Sequence, residues 1–229
     1  MTTLDYKKLL NGVKTFEKEN PSNTPSEQIY MNSITPNYID WTNLQNDSAK
    51  KVFKFLNVWG CRMKCKPQDL IARYQEVAPL FSKLSNLKLE DVNLDQLIKC
   101  NSETLTLQRS MHSVFDSLSN IKGYGPVPAS KTLHIACPSL LVMWDNSICF
   151  EVYEKLNMKL NGYSYAYIFM PRMKQKLEEA IDSCMKAKGL SRIDAIQWLL
   201  SEIEKTHKTS RSLAKALDEY NWLKGKHIL

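Results

Sequence analysis

Apolar residues recur three and four positions apart along most of this chain. Where that period fails, prolines, glycines and asparagines take over. The first stripe, Leu9, Val13 and Phe16, predicts a helix over Leu4 to Glu19. The stretch NPSNTPSEQIYMNSITPNYIDWTN that follows loses the period and reads as loop with a short helical turn. Asp47 or Ser48 can cap a helix running to Trp59, with Val52, Phe55, Leu56 and Trp59 on its inner face. Helix restarts at Pro67, a good first-turn residue, and Pro79 should kink or split it. Short helical pieces are expected over Leu94 to Lys99 and over Ser102 to Leu118, and another from Asn146 to Leu156. NGYSYAYIFMPRMKQKLEEAIDSCMKAKG predicts a long helix ending at Gly189, with Pro171 as a kink or a restart. Ser191 caps a helix carrying Ile193, Ile196, Leu199, Leu200 and Ile203, and Ser210 a last one carrying Leu213, Leu217, Tyr220 and Leu223. Alternating Val, Ile and Thr runs are scarce, so the expected class is all-α. A chain of 229 residues with short connections predicts one compact multi-helix domain over 1–229, in one body or two lobes.

One segment breaks the pattern in an informative way. After the Ser102 to Leu118 helix, IKGYGP cannot continue helically. Gly123 and Gly125 permit positive φ and close backbone approach, while Pro126 and Pro128 suit the first turn of a new helix that stops before Pro138. The expected unit over 102–136 is helix, tight G-x-G turn, helix. Such a turn presents backbone N–H groups at a helix N-terminus, an anion site suited to one phosphate and indifferent to base sequence. The same glycines also serve an ordinary helical hairpin.

The residues beyond the turn sharpen this. IKGYGPVPASKTLHIACPSLLVMWD resembles the helix-hairpin-helix segment of the DNA glycosylase superfamily that ends in a catalytic aspartate. Those enzymes carry a pattern like L-P-G-V-G-P-K-T-A, then a helix, then an apolar run ending in Val-Asp. Ile121 takes the apolar position before the turn, Gly123 and Gly125 the turn, Ala129 the small helix position, and LLVMWD the run to Asp145. The resemblance implies double-stranded DNA as partner, held by Ile121, Lys122, Gly123, Tyr124, Gly125, Val127 and Lys131. It implies Asp145 as the carboxylate that stabilises a cationic sugar as the base departs. It also marks a departure. Lyase-competent members place a nucleophilic lysine two residues after the second glycine, and this chain has Val127 there. The expected activity is therefore monofunctional and water-mediated. Lys131, one helical turn further on, is a phosphate contact, a surface lysine or a substitute nucleophile. The iron–sulfur loop of some members needs four closely spaced C-terminal cysteines, and none follows Cys184, so no cofactor and no metal are expected.

Other candidates are local. Trp59 and Arg62 near a helix end, and Trp144 beside Asp145, are candidates for a base pocket or wedge, with core packing the alternative for Trp144. His134, at i+3 from Lys131, reads as a hydrogen-bonded structural residue, and the aromatics Tyr163, Tyr165, Tyr167 and Phe169 as core with some exposed. CRMKC brings Cys61 and Cys65 together without a second pair or a nearby His, so two free thiols are expected.

Charge is compatible with a polyanionic partner. Lys and Arg number 31 against 24 Asp and Glu, a net charge of +7 with a pI near 9.0. The lysines are spread out and form no basic tail. A polar, amphipathic start and the absence of a long apolar run predict an intracellular protein with reduced thiols and no membrane span. Two other functions fit the same residues: a non-catalytic helix-hairpin-helix module binding DNA or protein, and a helical interaction protein with no nucleic-acid role.

Overall fold

The computed structural model describes residues 3–145 and 161–229. The expected helix over Asn146 to Leu156, and Cys149, lie outside the described residues. The class is all-α: α1 (Tyr6–Glu19), α2 (Pro25–Ile34), α3 (Asn46–Val58), α4 (Pro67–Leu84), α5 (Leu107–Ser119), α6 (Pro126–Ala136), α7 (Met170–Lys188), α8 (Arg192–His207) and α9 (Leu213–Gly225). One turn at Gly162–Ser164 and a π-helical stretch at Tyr165–Phe169 lead into α7. No helix among the described residues is long and apolar enough to cross a membrane.

Several expected elements differ, each for a local reason. The segment read as loop after α1 contains the ten-residue α2. Its signal is the sequence TPSE: Thr24 accepts from the Glu27 N–H and Pro25 opens the helix. Neither Asp47 nor Ser48 caps α3. Gln45 stands at the cap without a side-chain hydrogen bond, and Ser48 Oγ instead accepts from the Asp40 N–H. Pro79 does not split α4, because it sits on the exposed face, where the carbonyl it orphans can bond to water. The region read as two helices, Leu94 to Lys99 and Ser102 to Leu118, begins with an antiparallel pair, β1 (Leu97–Cys100) and β2 (Glu103–Thr106). Asn101, at φ 54°, makes the reversal, and Ile98 and Cys100 alternate inward between exposed Leu97 and Lys99. Pro171 follows the π-helical stretch and lies in the first turn of α7, a restart rather than a kink. Ser212, not Ser210, caps α9, and its hydroxyl also donates to the Pro138 carbonyl at 2.5 Å. Gly189 and Ser191 act as expected, the first ending α7 in the left-handed region and the second capping α8.

Packing sorts the helices into two groups. α1 leaves its sequence neighbours and packs on α7, α8 and α9, while α2, α3 and α5 gather around α6, with α4 packed on α3 and α5. One buried apolar cluster runs through both groups, from Leu9 and Val13 to Phe55, Leu133 and Leu217. The helix α6 is enclosed on every side: all residues from Pro128 to Ala136 are buried. Its polar side chains must then be bonded internally. Thr132 pairs with the Tyr124 hydroxyl at 2.5 Å, and Lys131 and Ser130 find main-chain partners described below.

Candidate functional site

The turn between α5 and α6 holds both glycines. Gly123 and Gly125 have φ of 84° and 85°, and Pro126 begins α6 directly after Gly125. The two glycines are under different constraints. A Cβ at Gly123 would lie 3.0 Å from the Lys64 carbonyl carbon, whereas one at Gly125 would meet nothing within 4 Å. The Lys64 N–H donates to the Gly123 carbonyl at 2.8 Å, so the CRMKCK segment is tied to the turn. This places exposed Arg62, Lys64 and Lys66 beside exposed Lys122. Ile121 and Tyr124 face inward and are buried. Any contact they make with a phosphate is through the main chain.

Gly125→Leu is accordingly expected to stay folded and to lose about 1–3 kcal/mol, because φ 85° with ψ 178° is a backbone region that only glycine adopts readily. Gly123→Leu is expected to lose more stability, since the Lys64 backbone must also move. Denaturant titration of the two variants beside wild type checks both.

The run from Leu141 to Asp145 is held at nearly every peptide. His134 lies on the Tyr30 ring and receives the Tyr30 hydroxyl at Nε2, 2.9 Å, while its Nδ1–H donates to the Leu141 carbonyl at 2.5 Å. Burial, with Lys215 adding to it, pushes this imidazole down to about 3, against the bond to Leu141, so it is a neutral structural residue as its sequence position suggested. The Tyr165 hydroxyl donates to the Val142 carbonyl at 2.9 Å. Ser130 Oγ donates to the Trp144 carbonyl at 2.7 Å and receives the Trp144 N–H at 3.1 Å. Trp144 is buried against Phe115, Tyr165 and Phe169, so it packs the core and is not in the lining of the cavity that Asp145 enters. These bonds deliver Asp145, partly exposed, to a fixed place at the end of the run.

That place is a cavity of about 350 Å³ between the two helix groups. Asp145 and Lys131 line it with Trp59 and Met143. The far wall is Phe16 of α1 and Asn20 at its C-terminal cap, with Asp218 and Trp222 of α9. Lys131 is not a surface lysine. It is buried, its Nζ donates to the Trp59 carbonyl at 2.8 Å, and it lies 5.5 Å from the Trp59 ring centroid. Behind the wall, fully buried Lys215 bonds Asp218 Oδ2 at 2.8 Å and sits 4.8 Å from the ring centroids of Tyr30 and Trp59. Trp59 is further fixed by its Nε1–H to the Ser26 carbonyl at 3.2 Å. Arg62 is exposed and outside the cavity lining.

Sequence pattern missed the far wall, since Asn20, Asp218 and Trp222 lie in segments remote in the chain from the turn. It also missed Ser130 and Tyr165, which position the run. Buried polar residues on α6 were the available sign, because a helix with no polar face must bond its hydroxyls to something. Tyr163 is exposed, while Tyr165 and Phe169 are core. Cys61 and Cys65 are free thiols, both pushed up mainly by burial. Among the described residues no group of three or more His, Cys, Asp and Glu could hold a metal ion.

No protein-family model, curated protein or solved structure matches this chain. The fold and cavity therefore define a class only: an all-α protein with an aromatic-walled, charged pocket between two helix groups.

Proposed function

We propose that this protein binds double-stranded DNA and excises a damaged or mismatched base as a monofunctional, water-using glycosylase. The observation that carries the reading is the meeting of Asp145 and Lys131 in one cavity walled by Trp59 and Trp222. A flat heterocycle is the ligand such walls accept, and a base must leave the stack to reach it. Asp145 stabilises the cationic sugar as the bond to the base opens. The turn at Gly123 and Gly125, with Lys122, Arg62, Lys64 and Lys66 beside it, holds the phosphate backbone. Lys131 is in the cavity lining, and Val127 keeps the usual lysine position apolar.

The test is release of base from duplex oligonucleotides carrying uracil, hypoxanthine or oxidised guanine, together with binding over a salt series. Release is expected, with affinity falling as salt rises. Borohydride is expected not to trap a covalent adduct. An adduct lost in Lys131→Ala would move the nucleophile from water to that amine. Salt-dependent binding without release would favour the non-catalytic module, and no binding would remove DNA from the account.

A further inference from the structure

Hydrolytic excision needs a second device beyond the anion at the sugar. The departing base takes the bonding electrons with it and leaves far faster if a proton arrives at the same time. The far wall of the cavity holds a carboxyl in a suitable setting. Asp218 lines the cavity opposite Asp145, and Lys215 engages only its Oδ2. Among the described residues no hydrogen bond reaches Asp218 Oδ1. In the same cavity the Asn20 Nδ2 is buried and has no hydrogen-bond partner among the described residues, a donor to which a base edge would present an acceptor.

We propose that Asp218 is the general acid of this site, protonating the base as its bond to the sugar breaks, with Asn20 holding the base edge; the proposal rests on the excision reading above. The C1′–N bond opens and its electron pair goes to the base nitrogen. The Asp218 proton goes to the base, the water oxygen bonds C1′, and the water proton goes to the Asp145 carboxylate. One water is consumed, one free base and one abasic site form, and a proton passing through solvent from Asp145 to Asp218 resets the pair.

The charges around Asp218 divide the two roles. From its own helix come Lys215 and Glu219, and Lys226 one turn beyond Trp222. Asp145 and Lys131 face it from α6 and the run beyond, and Glu27 from α2. Burial is the largest influence and raises the Asp218 carboxyl, Lys215 opposes it, and Asp145 and Glu219 raise it again, to about 6. A fraction of Asp218 thus carries a proton near neutrality, as a general acid requires.

The experiment is single-turnover release of uracil, hypoxanthine or oxidised guanine from duplex oligonucleotides as a function of pH. The wild-type rate is expected to fall as pH rises through about 6. Asp218→Asn is expected to lower release by about a hundredfold or more and to lose that fall. A cationic alkylated purine leaves as a neutral molecule and needs no proton, so Asp218→Asn should release it as wild type does. Asp218→Glu keeps the acid and is expected to recover part of both rate and fall. A wild-type profile flat above about 6 overturns the proposal without any variant. So does an Asp218→Asn profile unchanged in shape, or equal loss on charged and uncharged bases. If Asp145→Asn abolishes release while Asp218→Asn does not, this proposal fails and the excision reading stands. If wild type releases none of these bases, both fail.

Discussion

Asp145→Asn is expected to lower base release by about a hundredfold to a thousandfold and to leave affinity for the same duplex unchanged. Asparagine keeps the volume and planarity of the side chain, so the cavity keeps its shape. What it removes is the negative charge facing the sugar. A fixed charge beside the opening bond has a large effect on a developing cation. The phosphate contacts assigned to the turn and to Lys122 and Lys64 are elsewhere and should not change. Rate and affinity measured on one oligonucleotide at one salt concentration check both halves. Release retained in this variant would reduce Asp145 to a structural residue.

Arg211→Met is expected to destabilise the protein by about 3–5 kcal/mol. Arg211 is buried, with its Nη1 2.7 Å from Glu219 Oε1 and 2.8 Å from Glu27 Oε2, and its Nη2 donating to Ser22 Oγ at 3.2 Å. His207, also buried, places Nε2 2.9 Å from Glu219 and Nδ1 2.6 Å from Glu17. The network joins α1, α2, α8 and α9, which is to say both helix groups. Methionine fills much of the same volume but leaves two buried carboxylates without their shared cation, and that uncompensated charge is the source of the cost. Burial acts to raise the Glu219 carboxyl, but His207, Lys215 and Arg211 together hold it below the ordinary range. Its contribution to stability is therefore present above the unfolded carboxylate range and is lost as pH falls through the lowered value. Urea titration of wild type and variant at neutral and acid pH measures both effects; equal stability would show that the apolar core alone joins the groups.

Helices with a clean apolar stripe were legible in the sequence because one face of each meets the core. α1 and α5 are of this kind, and the terminator of α7 at Gly189 and the cap of α8 at Ser191 were also readable, although Ile193 of the expected α8 stripe is exposed. The turn at Gly123 and Gly125 was legible because only unusual backbone angles call for that composition. The misreadings have a common cause. β1 and β2 span four residues each, too short for a period of two to stand out, and α2 hides its apolar face among Ser, Asn and Thr. α6 shows no stripe at all, since every side of it is covered.

The sequence by itself determined the all-α class, the glycine turn and the distance along the chain from that turn to Asp145, because each depends on local backbone chemistry or on spacing. Only the tertiary structure decided that Lys131 is buried beside Asp145, that Trp144 is core, and that Asn20, Asp218 and Trp222 complete the cavity. The last of these follows from α1 packing on α9, and the first two from contacts of Lys131 with Trp59 and of Trp144 with Phe115, Tyr165 and Phe169, all between segments remote in the chain that no local pattern encodes.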